Sequence, residues 1–190
     1  MKKTLLKLYL ITSLLLLADI LAYCCYKISL KGYYNDIILF WLWLGLSIAV
    51  IISYWKKILA KLLLVAMVLA IILSILPMAI PFYALIFSTT PYGLKLNKDL
   101  NENYRAQVVG YSVMAYPTLQ IIEKKGLLEK QVFQCADFDL LNDESEVKIR
   151  DAKDVVLVSE TDSKLTLSLI YSNLNKLLVF DKASGKVINK

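Results

Sequence analysis

Three long apolar stretches, residues 8–26, 37–55 and 62–87, fill the first half of the chain, and an ordinary charged polypeptide follows them. A helix rises about 1.5 Å per residue, so about 20 apolar residues cross a hydrocarbon core about 30 Å thick. The second and third stretches hold no charged residue, and the first holds only Asp19. A helix of a soluble bundle keeps a polar face, which these lack. They read as three transmembrane helices. The third is longer than one crossing needs, and Pro77 and Pro81 lie in its second half. A tilt, a kink or an interfacial final turn around Phe82 and Tyr83 is expected there.

Lys2 and Lys3 ahead of an apolar run have the outline of a secretory signal. The run exceeds the usual signal core of about 7–15 residues, and further membrane segments follow, so an uncleaved anchor is expected. Leu21-Ala22-Tyr23-Cys24 fails as a lipoprotein cleavage sequence because a large Tyr precedes the Cys.

The formal charge of +6 lies wholly in residues 1–87, where eight lysines face only Asp19 and Asp36; residues 88–190 balance to zero. A neutral second half argues against a nucleic-acid surface. The excess sets topology instead. Lys2, Lys3 and Lys7 flank the first helix, and Lys56, Lys57 and Lys61 fill the second connection, against Lys27 and Lys31 in the first. Cytoplasmic flanks collect Lys and Arg. The amino terminus is therefore expected inside, and three crossings put the carboxyl-terminal domain outside the cell membrane.

Small residues four apart mark helix faces where backbones approach closely in lipid. The second helix carries Gly45, Ala49 and Ser53, and the third carries Ala66, Ala70 and Ser74. Folding the hairpin at 56–61 predicts contacts of Gly45 with Ser74, Ala49 with Ala70, and Ser53 with Ala66. Asp19 is the intramembrane polar residue. Isolated in lipid it costs a few kcal/mol, so it is expected to meet protein or water. Four readings stand: a protonated carboxyl bonded to a neighbouring helix, a group reaching the outer interface, a contact with a partner subunit's Lys or Arg, or part of a proton or ion path.

After Phe87 the period changes. Residues 88–104 are rich in Thr, Pro, Gly and Asn and read as a linker. Short alternating runs follow at 105–113, 118–123, 127–135, 147–150, 155–160, 165–172 and 176–180, separated by turn residues such as Lys124-Lys125-Gly126 and Thr161-Asp162-Ser163. In 165–172, Leu165, Leu167, Leu169 and Tyr171 alternate with Thr166, Ser168 and Ser172. Residues 105–190 are thus expected to form a small, mainly antiparallel β domain, a sandwich or open barrel. A short acidic stretch, 137–144, is the best helix candidate there. Residues 177–187, Leu-Leu-Val-Phe-Asp-Lys-Ala-Ser-Gly-Lys-Val, resemble the last strand and turn of a quinoprotein-type propeller repeat. The pattern occurs once and a propeller needs several blades, so a hairpin turn is expected.

The chemistry is bounded by what is missing. The chain has no His, no Gly-rich phosphate loop and no Gly-x-Ser-x-Gly elbow. Asp137, Asp139, Asp143, Glu144 and Glu146 cluster, but their spacing matches no calcium loop. Cys24, Cys25 and Cys135 read as thiols, with a disulfide between Cys135 and one of the adjacent pair as the alternative. No enzyme, cofactor or metal is expected. The expected partners are the lipid bilayer and a protein or envelope component bound by the outside β domain. The alternative is a small subunit of a transport, secretion or other membrane complex, with Asp19 as an intramembrane contact.

Overall fold

The computed structural model describes residues 2–112, 114–137 and 147–188. The chain divides into two compact units, Met1–Pro91 and Tyr92–Lys190.

The first unit holds three helices long and apolar enough to cross a membrane: α1 (Lys2–Tyr26), α2 (Tyr33–Ser53) and α3 (Ile58–Ile75). Lys27, at φ 56°, ends α1 in the left-handed conformation common past helix ends. The short strand β1 (Ile28–Leu30) follows, and Gly32, at φ 88°, opens α2. The long third stretch is broken, as its prolines lead one to expect. Pro77 lacks the N–H that would continue α3. Met78 and Ala79 then take positive φ, and α4 (Ile80–Ser88) starts with Pro81 in its first turn. The indoles and a phenol of α2 tie the unit together. Trp43 Nε1 donates to Ser13 Oγ at 3.0 Å, Trp41 Nε1 to the Thr89 carbonyl at 2.8 Å, and the Tyr33 hydroxyl to the Thr90 carbonyl at 3.2 Å.

The second unit is the antiparallel β domain. β2 (Leu94–Asp99), β3 (Tyr104–Val109), β4 (Thr118–Lys125) and β5 (Leu128–Cys135) form a meander in the order β5-β4-β3-β2. β6 (Asp154–Glu160), β7 (Lys164–Ile170), β8 (Asn175–Asp181) and β9 (Val187–Ile188) form a second sheet in that order. One apolar core joins them: Ala106, Val108, Leu119, Ile121 and Phe133 from the first sheet meet Val155, Leu165, Leu167, Leu169, Leu178 and Phe180 from the second. The Phe133 and Phe180 rings lie 5.1 Å apart at its centre. This is the sandwich that the alternation called for.

Two boundaries differ from expectation. The stretch 88–104 is not a plain linker, because it contains β2, whose Leu94 and Leu96 are half-buried while Lys95 and Asn97 are exposed. Residues 147–150 do not form a strand; Ile149–Asp151 is a single 3-10 turn that buries Ile149 alone. The expected acidic helix at 137–144 falls, beyond Asp137, outside the described residues. The propeller-like segment is a hairpin, β8 to β9, turned by Asp181 and by Gly185 at φ 69°.

Candidate functional site

Asp19 is half-buried on α1, and the Leu30 backbone lies close to its carboxyl. The reversal at Lys27 brings β1 back along α1. A backbone group of the connection thus lies beside the carboxyl.

The small-residue stripes do not meet as a close hairpin. Gly45, Ala66 and Ala70 are exposed, Ala49, Ser53 and Ser74 are half-buried, and a Cβ added at Gly45 would meet no atom within 4 Å. The buried face of α2 is Tyr33, Ile37, Ser47, Val50 and Ile51, and α2 packs more extensively on α1 than on α3. At about 100° per residue, a helix that buries Ser47 turns Gly45 and Ala49 about 200° away from that face. Ser74 Oγ donates to the Ile71 carbonyl of its own helix at 2.7 Å.

The cysteines carry thiols and form no disulfide. Cys24 and Cys25 are exposed, whereas Cys135 is fully buried in the β core, its Sγ 3.7 Å from the Ala136 carbonyl. Core packing claims the residue that a bridge would need.

Among the described residues no group of three or more His, Cys, Asp or Glu side chains is placed to hold a metal. Of the acidic cluster, Asp139, Asp143, Glu144 and Glu146 lie outside the described residues. Asp137 Oδ1 accepts the Ile149 N–H at 2.7 Å and so fixes the 3-10 turn. The Tyr171 phenol nearby is pushed up to about 12 from an ordinary 10.0, by burial first and then by the charge of Asp137. A phenol that resists ionisation in the fold stabilises fully below the unfolded value, and that stability is lost as pH rises through the folded one. Tyr171→Phe is therefore expected to remove one tyrosinate transition near pH 12 in an alkaline absorbance titration, and to flatten the loss of domain stability above pH 10. Loss of a transition near pH 10 instead would place this phenol in water.

The two outer faces of the sandwich differ sharply. On the first sheet, Arg105 Nη1 donates to Asn97 Oδ1 at 2.9 Å and to Gln107 Oε1 at 3.1 Å, while Nη2 pairs with Glu129. Gln107 Nε2 continues the chain to Gln120 Oε1 at 2.9 Å. Arg105, Gln107, Gln120 and Glu129 are all buried. The network neutralises its own charge and offers no nucleophile. It joins four strands and can fix their register.

On the second sheet the registered rows Val156–Ser168–Leu177 and Ser159–Thr166–Val179–Ile188 cross the outer face. Neither row contains a charge. An antiparallel sheet with one face in water usually alternates apolar-in and polar-out. Here Val156, Leu177 and Ile188 are exposed, Leu177 to 62%. Val158, the residue skipped by the register shift in β6, is exposed beside them. Charge depletion with exposed aliphatic side chains is the composition of an interface centre. Charged residues stand at the ends of the face, Asp154 at one and the Lys164–Asp181 pair at the other.

Sequence reading singled out neither face. The uncharged rows were present as the outward positions of 165–172, but Thr and Ser there look like ordinary solvent-facing residues until Val156 and Leu177 are set beside them. No protein-family model matches the chain, and no curated protein or solved structure matches it.

Proposed function

We propose that the protein is a membrane-anchored receptor for a partner protein, bound by the outer face of the β6–β9 sheet on the non-cytoplasmic side. The observation that carries the reading is the pair of uncharged rows across this face, with Val156, Leu177 and Ile188 exposed on it. The lysines at 2, 3 and 7 and at 56, 57 and 61 support the orientation. Asp19 lies beside the Leu30 backbone of its own chain, and that placement lends no weight to the alternative of a transport or secretion subunit.

One experiment tests both parts. In full-length chain with Cys24→Ser and Cys25→Ser, a membrane-impermeant, thiol-directed photo-crosslinker is attached to intact cells carrying Leu177→Cys or, as a control, Thr161→Cys. Both sites are expected to label, and only Leu177→Cys is expected to give a discrete adduct. Failure of both to label overturns the orientation. Labelling with no adduct, or the same adduct from Thr161→Cys, overturns the docking face.

A further inference from the structure

The helical unit has a groove of about 500 Å³ where the first turns of α1 meet the α2–α3 turn. Leu6, Tyr9, Val50, Tyr54 and Leu63 line it, with Lys57 and the first turn of α3. The volume falls within the about 300–1,000 Å³ of small-molecule sites. Its wall is aliphatic apart from two tyrosines and one lysine, and Leu6 and Leu59 are exposed at it. In a spanning helix such a wall faces hydrocarbon, so an apolar chain suits the groove and water does not.

Charge narrows the occupant further. Lys2, Lys3 and Lys7 on α1 and Lys56, Lys57 and Lys61 about the α2–α3 turn all stand at this end of the helices. The two acids of the unit are elsewhere: Asp19 lies past the middle of α1, and Asp36 in the first turn of α2, at the opposite end from Tyr54. The first-turn amides of α3 add partial positive charge at the same place. An occupant therefore needs a long apolar tail and a net negative head, and basic pockets between transmembrane helices suit such headgroups.

We infer that the groove between α1 and the α2–α3 turn holds an acyl chain of an anionic glycerophospholipid, with its phosphate against Lys57. The site is separate from the β-sheet face, and it ties the anchor to a negatively charged leaflet.

Native mass spectrometry of the delipidated full-length chain in detergent tests this, with equal phosphatidylglycerol and phosphatidylcholine supplied together. A single phosphatidylglycerol adduct is expected to dominate. Lys57→Gln is expected to weaken it about fivefold to tenfold, as befits one lysine at a headgroup. Leu59→Trp, an exposed position that fills the groove without touching the core, is expected to weaken it similarly. Lys27→Gln with Lys31→Gln, at the opposite end of the helices, is expected to leave it unchanged. Equal adducts of the two lipids overturn the site. So does equal weakening by the Lys27/Lys31 pair, which would mean diffuse attraction. Equal competition by glycerophosphoglycerol, the headgroup without chains, would show a phosphate site in which the groove plays no part.

Discussion

Glu129→Ala is expected to cost the β domain about 3–5 kcal/mol, the usual penalty for stranding one charge of a buried pair. Glu129 is 3% exposed and Arg105 6%, so the guanidinium left behind would have little access to water. Its Nε already has no hydrogen-bond partner among the described residues, and Asn97 and Gln107 occupy only Nη1. Removing both charges is different. Arg105→Met with Glu129→Leu trades a desolvated ion pair for apolar volume, a change often neutral or stabilising. The double variant should recover most of the loss. Hydrogen exchange of the full-length protein in detergent checks this at the β3 and β4 amides. At about 1.4 kcal/mol per tenfold, protection should fall a hundredfold or more in the single variant. A single variant as protected as the parent would mean that water reaches the pair.

That network also marks where sequence stopped being informative. The membrane helices were legible because lipid demands apolar composition over a full crossing, and the break after Ile75 was legible in Pro77 and Pro81. The alternation of β7 was legible because its inward Leu165, Leu167 and Leu169 face a core. Glu129 was not. Counting by twos from Phe133 and Cys135, which point into the core, puts Glu129 on the core face as well. The register shift between Ile121 and Ile122 leaves Val132 unpaired and moves Glu129 opposite Lys124, on the outer face with Arg105. A bulge of one residue flips every later side chain, and nothing local in Glu-Lys-Gln-Val-Phe announces it. β2 was hidden differently, since Pro91, Gly93 and Asn97 gave its surroundings the look of a linker while only Leu94 and Leu96 carried the strand pattern. The small-residue stripes misled because spacing alone does not choose the partner helix. Ser47 and the Trp43–Ser13 bond turn α2 toward α1.

A single strand, β8, should separate folding from binding. Phe180 is fully buried and packs on Phe133 at 5.1 Å, so Phe180→Ala leaves a cavity between the sheets and is expected to cost about 3–5 kcal/mol. Leu177, three residues earlier, points to the opposite face and is 62% exposed. Leu177→Ser should change stability by no more than about 0.5 kcal/mol, as surface substitutions usually do. Amide protection along β7, which pairs with β8 throughout, reads both effects in the same full-length protein. The expected result is a collapse of protection for Phe180→Ala and parental protection for Leu177→Ser. Unchanged protection in Phe180→Ala would mean that the two sheets do not share the core through that ring. Loss of protection in Leu177→Ser would show that this side chain is held by the fold. The outer rows would then be structural, and an exposed Leu177 would no longer argue for a partner. Parental stability makes the opposite point: a domain that gains nothing from a large exposed leucine has it available for binding.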